Sequence, residues 1–124
     1  MRELFEPSAL SASPDWRQRA VDGALVFSPV GDLDLDTAGE FERRLVEIVD
    51  RTDAPLVLVD LADVHFIDAG SVSVILRART KARRRNVTLC VRGLSGVPAL
   101  VFDALGLRET LICPVPLDDR GQAA

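Results

Sequence analysis

Residues Leu56 to Arg85 read LVLVDLADVHFIDAGSVSVILRARTKARRR, and this stretch decides the fold. Its first four residues, Leu56-Val57-Leu58-Val59, are apolar without alternation. A short aliphatic run bounded by turn residues fits a strand covered on both faces, as in a parallel or mixed sheet. Asp60, Ala62 and Asp63 end that strand. A second apolar piece, His65-Phe66-Ile67, leads into Asp68-Ala69-Gly70-Ser71, and there the period changes. Val74, Ile75, Ala78 and Ala82 share one helical face, while Arg77, Lys81, Arg84 and Arg85 fall elsewhere. The order is strand, loop, helix, with a small polar turn where the helix begins.

That turn is the first candidate site. The leading N–H groups of a helix lack internal partners and attract negative charge. Asp68 suits an N-cap, its carboxylate accepting those N–H groups. A phosphorylated residue or a bound anion would be held by the same groups, so a structural and a functional use of the turn both stand.

Upstream, Trp16 to Val21 alternates weakly and suits an edge strand; Asp22-Gly23 is a hairpin turn, and Ala24 to Val30 returns. Pro29 within it points to an edge or a bulge. Gly31-Asp32-Leu33-Asp34-Leu35-Asp36 places three acids at alternate positions, without the later glycine and glutamate of a calcium loop. It reads as a polar loop with no metal site. Thr37 and Glu40 form a capping box, and Phe41, Leu45, Ile48 and Val49 give an amphipathic helix from Thr37 to about Arg51. Glu40 with Arg44, and Arg43 with Glu47, are expected surface pairs.

Downstream, Val87 to Arg92 reads as a buried strand. Ser95 suits an N-cap, and Pro98 a first helical turn; Val97, Leu100, Val101 and Leu105 fall at helical spacing before a closing Gly106. Thr110 to Cys113 suits a last short strand. The expected organisation is a tail over residues 1–14, one domain over 15–116 and a polar tail over 117–124. The fold class is α/β, with a mixed sheet of four or five strands and about three helices.

Composition narrows the function. The 124 residues fit one domain, and 48% hydrophobic content supplies a core and argues against disorder. A net charge of −4 does not suit a nucleic-acid binder. No apolar run has the length of a membrane span, and the start resembles no signal peptide. Cys90 and Cys113 read as separate buried thiols of a reducing, cytoplasmic setting. His65, the single histidine, has no catalytic or metal-ligating company. Asp60, at a strand end, could suggest a phosphoacceptor, but the acidic pair and late lysine of such a site are missing. Arg77, Arg79, Lys81, Arg83, Arg84 and Arg85 suit the C-terminal half of a helix without needing a partner; an acidic partner surface is the other use of such a run. These features point to no enzyme, cofactor or metal.

The run Val57 to Val72, VLVDLADVHFIDAGSV, resembles the signature of STAS domains, the bacterial anti-sigma factor antagonists and the cytoplasmic domains of sulfate transporters. Val30-Gly31-Asp32-Leu33-Asp34 is similar to the Gly-x-Leu-Asp loop of that family. Leu105-Gly106-Leu107 is similar to the close of its third helix. The resemblance spans roughly residues 16 to 113, and the order and spacing of the motifs are more specific than any one of them. It implies a partner, an anti-sigma factor of the histidine-kinase-like ATPase type, bound through Asp32, Asp34, Asp68, Ala69, Gly70, Ser71 and Val72. Binding would release a sigma factor, and phosphorylation at the helix start would weaken binding. Gly70, however, stands where many members carry the phospho-accepting serine, and Ser71 stands where they carry glycine. Ser71 is the remaining phosphorylation candidate, Ser73 a weaker one; Ser71 shares a helical angle with Val74, Ala78 and Ala82 and so points inward. Many members also continue into a fourth helix after Cys113, most of which this chain is expected to lack. The alternative is a ligand- or nucleotide-sensing or scaffold domain on the same fold, holding an anion at the Asp68 turn.

Overall fold

The computed structural model describes residues 15–113; the two expected tails, and the expected lack of most of a fourth helix after Cys113, fall outside them. In chain order the elements are β1 (Asp15–Val21), β2 (Ala24–Leu33), α1 (Ala38–Arg51), β3 (Leu56–Asp60), β4 (Val64–Ile67), α2 (Ala69–Arg84), β5 (Thr88–Arg92), α3 (Gly96–Ala104) and α4 (Arg108–Leu111). The five strands form a mixed sheet, ordered β1-β2-β3-β5 with β4 also beside β2. Only β1 runs antiparallel to its neighbour. The α/β class and the mixed sheet are those expected from the sequence, with one more helix.

The hairpin β1–β2 turns at Asp22 and Gly23, and Gly23 has φ +77°, a value glycine adopts without penalty. Beyond the turn, β2 serves two strands. It pairs in parallel with β3 through Ala24 to Phe27 and with β4 through Gly31 to Leu33, with a register shift at Gly31/Asp32. Pro29 therefore lies in an interior strand rather than at an edge. It falls in the gap between the two parallel ladders, where a residue without an N–H interrupts neither of them.

The core lies between one sheet face and the helices. Phe27, Val57, Val59, Leu89 and Val91 meet Phe41, Leu45, Ile48 and Val49 of α1, Ile75, Ala78 and Ala82 of α2, and Phe102. Trp16 of β1 stacks with Phe27 and Phe41 at centroid distances of 6.2 Å, and the Arg44 guanidinium lies 5.5 Å from the Trp16 ring. The other sheet face carries Ala24, Val26, Leu58 and Cys90, all buried.

Several local expectations are corrected. Thr37 makes no side-chain cap to α1, because its hydroxyl is engaged by the preceding loop. Glu40 accordingly does not reach back; it pairs with Arg43 and, at 2.6 Å, with Arg44. Arg43 thus leaves Glu47 to Arg51. Ser95 occupies the N-cap of α3 without a side-chain cap bond. The buried residues of α3 are Pro98 and Phe102, while Val97, Leu100 and Leu105 are exposed. That helix is apolar on nearly every side, so spacing alone did not identify its inner face. Its close is a Schellman arrangement: Gly106 at φ +69° donates to Asp103, and Leu107 donates to Phe102. The expected strand at Thr110–Cys113 is a one-turn helix, α4, followed by an isolated parallel bridge between Ile112 and Val91. Cys90 and Cys113 are not separate thiols. They form a disulfide with Cα atoms 5.1 Å apart, and the reading of a reducing compartment loses that support.

Three of the six basic residues in the run at α2 have structural partners. Arg77 forms two 3.1 Å hydrogen bonds to Glu42, Lys81 lies 3.5 Å from Asp50, and Arg85 donates to the Val49 carbonyl. These contacts fasten α2 to α1. The end of α2 is a second Schellman arrangement, with Asn86 at φ 60° donating to Arg83 and Val87 donating to Ala82.

Candidate functional site

The candidate site lies at the C-terminal ends of β2 and β4, where the acidic loop meets the start of α2. Asp68 adopts an extended backbone at the N-cap, and its Oδ1 accepts the Ser71 N–H at 2.8 Å. Its carbonyl accepts the Val72 N–H at 3.0 Å, and its own N–H donates to the Leu33 carbonyl at 3.1 Å. The last of these continues the β2–β4 pairing, in which Leu33 lies opposite Ile67 and Asp32 opposite Phe66. Asp32, Asp34 and Asp68 are thus brought to one edge by backbone hydrogen bonds, although more than thirty residues separate them in sequence.

The acidic loop is ordered by its own side chains. Asp34 Oδ1 accepts the N–H of Asp36 at 3.0 Å and of Thr37 at 3.3 Å. The Thr37 hydroxyl accepts the Asp34 N–H at 2.9 Å and donates to the Asp32 carbonyl at 3.1 Å. The Asp34 carbonyl receives the N–H groups of Thr37 and Ala38 at 3.1 and 2.9 Å. This Asx-type turn holds Leu35 outward, 86% exposed, between two acids. Among the described residues neither Asp32, Asp36 nor Asp68 has an ion-pair partner, so the edge presents negative charge.

Burial divides the expected contact residues. Asp32, Ala69 and Gly70 are exposed, and Asp34 and Asp68 are half-buried. Val72 is 1% exposed and packs in the core. Ser71 has no exposure at all, and its hydroxyl has no hydrogen-bond partner among the described residues. A phosphoryl group at Ser71 would place a dianion inside the packed side of α2, which burial opposes strongly. Gly70 is different: a Cβ there would meet only Asp68 Oδ1, at 3.6 Å, so the surface position of the turn has room for a side chain.

Two exposed apolar residues at this edge were not singled out from sequence. Leu35 carries a legible signal, since an apolar residue between two acids in a loop has no inward face. Phe66, 41% exposed, carries none, because its apolar neighbours suggested burial. Asp60 has a structural use at the same end of the sheet. It accepts the Ala62 N–H at 3.0 Å and pairs with Arg92 at 3.1 Å. His65 is exposed. No cluster of three or more metal-ligating side chains occurs among the described residues, and no helix there is long and apolar enough to cross a membrane.

The family model for the STAS domain matches residues 15–120, and this chain belongs to that family. Solved structures share the fold. An anti-sigma factor antagonist from Mycobacterium paratuberculosis is 24% identical, with a TM-score of 0.73 over 90% of this chain and 95% of that one. The unphosphorylated form of the anti-sigma factor antagonist SpoIIAA is 14% identical, with a TM-score of 0.68 over 79% of this chain and 86% of that one. A sulfate transporter family protein from Wolinella succinogenes is 18% identical, with a TM-score of 0.61 over 86% of this chain and 82% of that one. Comparison with curated protein sequences returns no match.

Proposed function

We propose that this STAS domain is a non-enzymatic anti-sigma factor antagonist of the cytoplasm. It binds an anti-sigma factor of the histidine-kinase-like ATPase type and so frees a sigma factor for transcription. The observation that carries this reading is the joined edge itself: a rigid acidic turn tied through Asp68 and Leu33 to the exposed start of α2. Structural neighbours bearing the name anti-sigma factor antagonist add support. The contact surface consists of Asp32, Asp34, Asp68, Ala69 and Gly70, with Ser71 and Val72 supporting it from inside. Phosphorylation does not control this chain at the usual place, because Gly70 has no hydroxyl and the neighbouring Ser71 hydroxyl is buried.

Affinity capture from the source cell, with mass spectrometry of the bound proteins, tests the reading. Recovery of a small kinase-like ATPase that Asp68→Lys no longer captures is the expected result. Incubation of that pair with ATP should leave the mass of this chain unchanged. A stoichiometric phosphate on Ser71 would overturn the second half of the proposal while leaving the first.

A second reading, ligand sensing, has one observation in its favour. A groove of about 840 Å³ runs between β1 and α1 at the opposite end of the sheet, lined by Trp16, Leu25, Arg44, Ile48, Thr52 and Pro55. The Asp68 turn itself suits an anion less well, since Asp68 already fills the cap with negative charge. Thermal stabilisation by a metabolite, lost on Thr52→Trp, would favour this reading.

A further inference from the structure

We propose that Cys90 and Cys113 form a reversible thiol–disulfide site that fastens residues Ile112 and Cys113 along the edge of β5. Three observations place the two residues in this relation. First, Cys90 sits within β5 on the sheet face shared with Ala24, Val26 and Leu58, 5% exposed. Second, the chain returns to the same strand 23 residues later: Val91 and Ile112 form a parallel bridge, and the Cys113 N–H donates to the Val91 carbonyl at 3.0 Å. Third, β5 pairs with β3 along its whole length on one side, whereas on the other side the described residues offer only this single bridge. One covalent bond therefore reinforces the weakest pairing in the sheet.

The domain does not depend on that bond for its core. Phe102 and Leu111 are fully buried in the main cluster, and Cys113 lies outside it, packed on the smaller cluster of the opposite face. Breaking the bond frees the last described residues while leaving helices and sheet in place. Bonds of this kind, closing a segment rather than a core, suit switching better than structure. That switching role rests on the cytoplasmic setting of the proposed function, where disulfides are characteristically transient and redox-sensing.

The chemistry balances with a dithiol reductant. Cys113 is the more exposed partner, so a thiolate of the dithiol attacks its Sγ, forming a mixed disulfide and expelling the Cys90 thiolate. The second thiol of the reductant then closes its own disulfide and expels the Cys113 thiolate. Two electrons and two protons pass to the cysteines, and the dithiol leaves oxidised. Re-oxidation takes a hydroperoxide: one thiolate attacks its outer oxygen and expels the alkoxide, which leaves as an alcohol, and the second thiol then displaces water from the sulfenic acid to close the disulfide.

The test uses the full chain. The protein is equilibrated in glutathione buffers of graded thiol-to-disulfide ratio, and free thiols are trapped by alkylation and counted by mass. A midpoint within the range spanned by cytosolic glutathione is expected. A bond that stays closed in the most reducing buffer overturns the proposal, because it is then a permanent staple. Hydrogen exchange reads the latch: on reduction, exchange at the Cys113 amide should rise at least about tenfold, while the Val59 amide is unchanged. Equal exchange at Cys113 in both states, or loss of protection at Val59, overturns the latch. Cys113→Ser should match the reduced protein at both amides, read at position 113 and at Val59. Cys90→Ala should show the same Cys113 exchange, which separates the loss of the bond from the loss of one side chain.

Discussion

The N–H of Asp68 donates to the carbonyl of Leu33 at 3.1 Å. This one bond joins the helix start to the acidic loop, so the two halves of the candidate surface cannot shift separately without losing it. The carboxylate of the same residue caps α2. Asp68→Ala should therefore cost about 1 kcal/mol in urea denaturation, and Asp68→Asn much less, since the amide oxygen still accepts the Ser71 N–H. Equal loss for both variants would show that charge, not capping, is what Asp68 contributes.

Gly70 is the open position of the turn. Gly70→Ser should fold normally, because its Cβ meets no atom closer than 3.6 Å. Mixed with the captured ATPase and ATP, this variant should gain one phosphate that the natural chain does not. A Gly70→Ser protein that stays unmodified would mean that the partner lacks kinase activity toward this surface.

Ser71 supplies the contrasting case. Its hydroxyl is buried and unpartnered, so Ser71→Ala removes a polar group without breaking a bond. Stability should be unchanged or rise by up to about 1 kcal/mol. A clear loss on chemical denaturation would reveal a partner for that oxygen.

Leu35 stands clear of the core, 86% exposed on a turn held by Asp34 and Thr37. Leu35→Asp should alter stability by less than about 0.5 kcal/mol. Affinity for the captured partner, measured by calorimetry, should fall about tenfold or more, as expected of an apolar anchor on a rigid turn. Unchanged affinity would place the interface elsewhere.

Hydrogen bonds from Arg43 and then Arg44 hold the Glu40 carboxyl below its ordinary value. A carboxyl whose pKa is lower in the folded chain contributes stability above its unfolded pKa and loses it as the pH falls through the folded one. An NMR titration should thus find Glu40 titrating below the ordinary glutamate range. The Arg44→Ala variant should bring it back up, and a curve unmoved by that change would contradict the pairing.

Much of this was legible because the strongest signals were local. The unbroken run of β3, the Asp-Gly turn and the inner stripe of α1 each reflect a period or a turn requirement that neighbouring residues alone impose. What failed were properties set by distant partners. Thr37 was given to its own helix, but the preceding loop claimed its hydroxyl. The inner face of α3 depended on where β4 lay beneath it. The pairing of Cys90 with Cys113 came from a bridge at Ile112 that no spacing announces. At the site, Asp68 and the inward direction of Ser71 followed from helix geometry, whereas the junction with Leu33 required the β2–β4 register.

A second register, that of the β1–β2 hairpin, is set at the opposite pole. β2 is ten residues long, so its two ends lie roughly 30 Å apart. The two-residue turn at Asp22 and Gly23 fixes the pairing of Val21 with Ala24, and the β1–β2 ladder follows from it as far as Asp15 opposite Val30. One residue inserted in that turn would force Val26 and Phe27 to trade faces, or leave β1 to slide along its partner. A solvent-facing hairpin at the far pole thus acts as the ruler that delivers Trp16 of β1 to Phe27 and Phe41, and length changes there should be far less tolerated than its exposure suggests.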